Sequence, residues 1–202
     1  MPKAKSAKGL VSLRGKRVLV RARLNVPMKN GVIKNDYRLI RFLPTLKWLK
    51  EEGAKTILIS HLSKPGTLKP VARYFAKHIR AGFLPHNGKL ARTKLLDSMS
   101  NGSVFVMEDI RRKKGEKENS KELARDLASM ADLYINDDFS VSHRKHASVE
   151  AITHELPSYI GPLFEDEIKN LSLVFKTKKL CEFHSGVAFT LVLLIYKFRY
   201  IS

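Results

Sequence analysis

Apolar stretches that end on polar or basic residues recur along this chain and alternate with segments of helical periodicity. That alternation restricts the fold more than any other feature. RVLVRARLN runs to Asn25, TILISHLSKP to His61 and Lys64, VFVMEDIR to Arg111, and LYINDDFSVSHRKH to His143, Arg144 and His146. Short apolar runs with such boundaries read as buried strands, and a strand, a helix and a strand in succession read as a right-handed parallel crossover. In an open sheet built this way every strand C-terminus faces the same edge. The basic groups delivered there converge on a crevice suited to an anionic ligand, with phosphate the first candidate.

The elements follow from local chemistry. Residues 17–21 form an apolar run that suits a buried strand, which Asn25-Val-Pro ends. Asn30-Gly31 supplies the positive-φ positions of a tight hairpin. Asp36 is placed to cap a helix in which Leu39, Phe42, Leu43, Leu46 and Leu49 recur at helical spacing, with Pro44 expected to kink or divide it and Gly53 past its end. Strands are expected at residues 55–60, 104–107 and 133–136, with a weaker one at Phe83-Leu-Pro. Helices are expected over residues 68–79, 90–99, 120–130, 149–155 and 164–175, and residues 113–119 as a charged loop. The whole predicts a three-layer Rossmann-like α/β domain, a parallel sheet with helices on both faces, over residues 15–175. Residues 1–14 read as a basic flexible arm. Residues 176–202 form a divergent apolar tail without charge-balanced amphipathic period.

Composition narrows the function classes. The chain has 202 residues, 44% hydrophobic and 28% charged, which suits one large globular domain. Its formal charge of +19 predicts non-specific affinity for polyanions such as nucleic acid at low salt. The Lys residues lie singly or in pairs and aromatics are not interleaved with them, which argues against a single-strand stacking platform. Cys181 is the sole cysteine, so no internal disulfide forms, as in a reducing cytosol. The basic N-terminus lacks the apolar stretch of a secretory signal, and the apolar run at residues 187–196 is too short to span a bilayer. A cytoplasmic protein with no membrane partner is expected. Asp36, Asp97, Asp137 and Asp138 do not form a metal-ligand spacing.

Taken together and in order, these motifs resemble the N-terminal, 3-phosphoglycerate-binding half of phosphoglycerate kinase. RVLVRARLNVP is similar to the family's VRVDFNVP, NDYRLIRFLPTLKWL to DxxRIRxxLPTIxxL, and ISHLSKP to SHLGRP. LKPVARYFAKHI resembles SLKPVA, VFVMEDIR resembles LLLENLR, and LYINDDFSVSHRKHAS resembles VNDAFGTAHRAHAS. Read singly, Arg38 is a solvated helix residue, and His61 and His143 are core imidazoles. The ordered context instead implies that Asn25, Arg38, His61, Lys64, Arg111 and Arg144 hold 3-phosphoglycerate, with Arg38 as the catalytic group that steadies the transferring phosphoryl. Guanidinium forks suit such anions, because phosphoryl transfer needs positioned positive charge more than a covalent partner.

The chain also departs from the family. Arg23 stands where the first motif has Asp, so an acceptor of hydrogen bonds has become a cation. Ser63-Lys64 replaces Gly-Arg, Asp109 replaces Asn, and Asp138 and Ser140 replace Ala and Gly. The family's cofactor, Mg-ADP or Mg-ATP, is held by a second domain with a GGAKVSDK-like strand, and neither that motif nor GxxxxGK[ST] occurs here. The resemblance therefore implies a glycolytic phosphotransferase half, expected to be inactive alone, whose activity a separate chain carrying the nucleotide domain would rescue. The alternatives are a non-catalytic phosphometabolite-binding or regulatory domain and a polyanion-binding protein.

Overall fold

A computed structural model describes residues 5–176, apart from residues 11 and 87. The tail expected at residues 176–202 lies outside them from residue 177 onward.

Six parallel strands form the sheet: β1 (Arg17–Arg21), β4 (Lys55–Ile59), β5 (Ala81–Leu84), β6 (Val104–Met107), β7 (Leu133–Asn136) and β8 (Ser158–Ile160), in the spatial order β5-β6-β4-β1-β7-β8. The separate hairpin β2 (Met28–Lys29) and β3 (Val32–Ile33) turns through Asn30 and Gly31, both at positive φ, as that dipeptide requires. Strand order reverses beside β1, whose register pairs Arg21 with Ile59 of β4 on one side and with Asn136 of β7 on the other. A reversal of this kind opens a crevice at the strand C-termini.

Period-two alternation divides the core into two layers. Val18 and Val20 of β1 face a cluster containing Leu39, Phe42, Leu46 and Leu49 of α1 (Tyr37–Glu51) and Val71 and Phe75 of α2 (Lys69–Ala76). Leu19 faces the other way, with Ile57, Ile59 and Met107, toward Leu96 of α3 (Lys89–Asp97) and Leu123 and Leu127 of α4 (Lys121–Ala128). The last helix, α5 (Pro162–Lys176), contacts α1 and seats the buried Phe164 against Phe139, with ring centroids 5.2 Å apart. Among the described residues no helix is long and apolar enough to cross a membrane.

Several local expectations change. Pro44 does not divide α1, which runs unbroken from Tyr37 to Glu51. Proline leaves the carbonyl one turn earlier without its donor, and both Pro44 and Ile40 are exposed, so water can serve that carbonyl. Asp36 precedes α1 without a capping bond, its carboxylate accepting instead from the Tyr74 hydroxyl at 2.9 Å; Asn35 Oδ1 takes the Tyr37 N–H at 3.0 Å. The helix expected at residues 149–155 is a 3-10 turn, Ala151–His154, and β8 was not anticipated. The described part of the N-terminal arm is packed: Ser6 bridges to Ile160, and Ala7 and Leu13 are buried.

Candidate functional site

The loops at the C-terminal edge are tied to one another by their own polar side chains. Beyond β1, Asn25 donates from Nδ2 to Ser63 Oγ at 2.6 Å and accepts the Ser63 N–H at 3.4 Å, which joins the loops after β1 and β4. Arg38, in the first turn of α1, donates to the Asn25 carbonyl. After β6, Asp109 accepts the N–H groups of Leu62 at 3.2 Å and Arg111 at 3.0 Å, and Arg111 Nη1 reaches the Leu62 carbonyl at 3.4 Å. Arg144 follows the 3-10 turn Phe139–Val141 beyond β7.

Of the groups anticipated from sequence, Asn25, Arg38, Lys64 and Arg111 line adjoining cavities, while His61 and Arg144 line neither and are linked to Arg111 through their charges. A cavity of about 570 Å³ is lined by Asn25, Arg38 and Lys64, and a neighbouring one of about 500 Å³ by Lys64, Arg111, Arg112 and Lys117. On the far side of Arg38, Arg23 and Arg41 line a third, about 240 Å³, together with Asp138 and Ser140. The charges act on one another. Burial, then Arg21, Arg111, Arg144 and His146, push the His61 imidazole down to about 3. Burial and the charges of Arg144 and Arg21 lower Arg111, and burial and Arg23 lower Arg38. Positive potential is concentrated here before any ligand arrives.

Carboxylates set the frame. Asp137, at the end of β7, accepts from Thr45 Oγ1 and the Phe164 N–H, both at 3.0 Å, and so pins α1 to the start of α5. Gly161 lets it do so, because a Cβ there would overlap the Asp137 carboxylate. Burial pushes Asp137 up to about 7, against those hydrogen bonds. Glu116 is buried, accepts from Ser148 Oγ at 2.6 Å and Ser148 N–H at 3.0 Å, and stands 3.7 Å from His146 Nδ1.

Sequence reasoning missed two residues. Arg21 is wholly buried beneath the rim, its Nη2 2.8 Å from His61 Nδ1 and its Nη1 3.9 Å from Asp138 Oδ2. A charge inside an apolar strand was the available signal. Glu116 lies in the segment read as a charged loop, and nothing in the sequence marked it as buried. Among the described residues no group of three His, Cys, Asp or Glu side chains could hold a metal ion. The donor set of the rim is cationic, which suits a phosphate or carboxylate rather than the magnesium of a nucleotide complex.

A family model described as phosphoglycerate kinase matches residues 9–183. The phosphoglycerate kinase of Bartonella quintana (strain Toulouse) is 42% identical over 170 residues, 80% of this chain and 43% of that protein. That of Dictyoglomus turgidum is 41% identical over 165 residues, 78% of this chain and 42% of that protein. Among solved structures, phosphoglycerate kinase from Coxiella burnetii superposes with a TM-score of 0.75 at 34% identity, covering 84% of this chain and 44% of that one. The enzyme from Pyrococcus horikoshii OT3 gives 0.76 at 28% identity, covering 87% and 46%. The chain spans less than half the length of the curated relatives it matches.

Proposed function

The chain belongs to the phosphoglycerate kinase family, and we propose that it supplies the surface that binds 3-phosphoglycerate for phosphoryl transfer between 1,3-bisphosphoglycerate and ADP. The domain that does this is residues 15–175. The observation that supports the reading is that Asn25, Arg38 and Lys64 line one cavity and Lys64 and Arg111 its neighbour, with Arg111 and Arg144 close enough to His61 for their charges to act on it.

Charge density suggests which end of the ligand goes where. Arg111 and Arg144 surround His61 with Arg21 beneath, and that concentration suits the dianionic phosphate. Arg38 lies at the N-terminal end of α1 near Arg23, where the helix dipole also favours an anion, and suits the carboxylate end. A group transferred at that end develops charge on its equatorial oxygens, and the Arg38 guanidinium is placed to steady it. Mg-ADP or Mg-ATP would supply the phosphoryl acceptor or donor. Among the described residues no group of three His, Cys, Asp or Glu side chains is placed to hold its metal ion.

A second reading is favoured by Arg23, which lines the cavity beside Arg38. A guanidinium there attracts anions but cannot accept a hydrogen bond from a glycerate hydroxyl, so the site would bind phosphorylated metabolites with relaxed selectivity and without turnover.

Calorimetric titration of the 202-residue chain tests both. The first reading expects weak binding of 3-phosphoglycerate, no binding of Mg-ADP, and loss of the 3-phosphoglycerate signal in Arg38→Ala. Equal affinity for 3-phosphoglycerate and for phosphates lacking the hydroxyl would favour the second. An affinity that ignores small phosphates and falls steeply with salt toward nucleic acid would sink both in favour of polyanion binding.

A further inference from the structure

We propose that Arg21 is a positioning residue which, by donating to Nδ1 of His61, holds the imidazole as its Nε2–H tautomer, so that His61 meets an anionic oxygen as a neutral hydrogen-bond donor. The anion clause rests on the functional reading above. The tautomer clause does not.

The two side chains meet because of the pleat. Leu19 of β1 and Ile57 and Ile59 of β4 belong to the core layer under α3 and α4. Arg21 follows Leu19 by two residues, and His61 follows Ile59 by two, so both fall on that same face where the strands end. The register sets Arg21 opposite Ile59, one pleat short of His61. Arg21 is 0% exposed and His61 7%, so water does not compete for their contact.

The geometry then decides the proton. A guanidinium carries donors and no acceptor. Its Nη1 serves the carbonyls of Ala22 and Ile59, at 3.4 and 3.5 Å, and its Nη2 lies 2.8 Å from His61 Nδ1. Two N–H groups cannot face each other at that separation, so Nδ1 is the acceptor and the ring proton sits on Nε2. Among the described residues His61 Nε2 has no hydrogen-bond partner, and it is not one of the buried unpartnered atoms, so it is open to the rim. The surrounding charges point the same way, since a protonated ring would be one more cation among Arg21, Arg111 and Arg144.

The tautomer matters because it sets the sign of the contact. With the proton on Nε2, His61 attracts an oxyanion. With the proton on Nδ1, it would present a lone pair and repel one. Arg21 therefore acts on a ligand through His61, with its own guanidinium buried beneath the ring. His61 on this account is neither a proton carrier nor a fixed positive charge.

The test is two-bond nitrogen–proton correlation NMR of the histidine rings in the 202-residue chain, without ligand, from about pH 8 to about pH 5. The Nε2–H pattern for His61 throughout that range is expected, and an imidazolium or an Nδ1–H ring would overturn the proposal. In Arg21→Gln, provided its amide dispersion remains native, the His61 pattern should become mixed and begin to titrate; an unchanged pattern would overturn it. If that variant does not fold, His61→Gln and His61→Asn decide. The amide nitrogen of Gln approximates Nε2 and that of Asn approximates Nδ1, so Gln should keep most of the 3-phosphoglycerate affinity and Asn should lose about tenfold or more. Equal losses, or the reverse order, would count against the proposal. Absence of 3-phosphoglycerate binding to the unaltered chain with the Nε2–H pattern intact would remove the functional reading while leaving the action of Arg21 on the ring in place.

Discussion

The two edges of the sheet handle charge in opposite ways. At the N-terminal edge Arg17 is matched twice: its Nη2 bonds Asp97 Oδ1 at 2.7 Å, and its backbone N–H bonds Asp132 Oδ2 at 2.7 Å. At the C-terminal edge Arg21 is buried with its Nε unpartnered and its nearest carboxylate, on Asp138, 3.9 Å away. Arg111 Nε, His86 Nδ1 and Asp138 Oδ2 are likewise buried without a hydrogen bond, and all follow the C-terminal ends of strands. Native interiors seldom leave such groups unserved. The N-terminal edge leaves one neutral hydroxyl, the buried Thr56 Oγ1 near the start of β4, without a hydrogen bond, whereas the C-terminal edge keeps charged groups and ring donors in reserve at a cost in stability. Reserve of this kind is expected where a ligand completes the hydrogen bonding.

The comparison breaks most visibly with pH. His61 sits at about 3 in the folded chain, below its ordinary value of about 6.5, so between those values the unfolded chain holds the extra proton. Its contribution is complete above about pH 6.5 and is lost as pH falls toward about 3. Asp137 has the opposite sign: it is raised to about 7, so its contribution is complete below about pH 4 and is lost as pH rises through about 7. Urea midpoints measured across this range should fall on both flanks. His61→Gln should flatten the acid flank and Asp137→Asn the alkaline one, and a profile unchanged in either variant would remove that residue from the account.

A smaller effect is expected from Arg111→Ala. Losing a charge-assisted hydrogen bond to the ligand should cost about 1.5–3 kcal/mol of binding, roughly ten- to a hundredfold in 3-phosphoglycerate affinity by calorimetry. Stability should hold or rise, because a crowded cation is removed. Next comes Glu116→Ala, which strands the buried Ser148 N–H and hydroxyl and should cost about 1–3 kcal/mol in urea unfolding. Smallest is Arg17→Ala at the opposite edge, at about 1 kcal/mol or less with 3-phosphoglycerate affinity unchanged. A ligand effect there, or a large stability loss at Arg111, would erase the distinction between the edges.

Legibility in the sequence followed the same division. Residues 133–136 and 104–107 were readable as strands because buried parallel strands are short apolar runs with polar ends. Strand β8 was not, since Ser158–Ile160 is half-buried and carries too few residues to show a period. Asp36 looked like a cap by residue type, but the Tyr74 hydroxyl, distant in sequence, claims its carboxylate. Among the candidate site residues, Arg38 and Arg111 stood out through their motif context. Glu116 was hidden because its burial depends on Ser148, in a different loop.

Residue type and order determined the long apolar strands, the amphipathic helices, and that basic groups follow the strands, because these properties are local and repeat with the backbone period. Tertiary structure alone decided that Arg21 lies under His61, that Asp137 rather than solvent holds the start of α5, and which charges go unmatched. Burial and charge proximity depend on distances between segments far apart in the chain, and no period in the sequence encodes a distance.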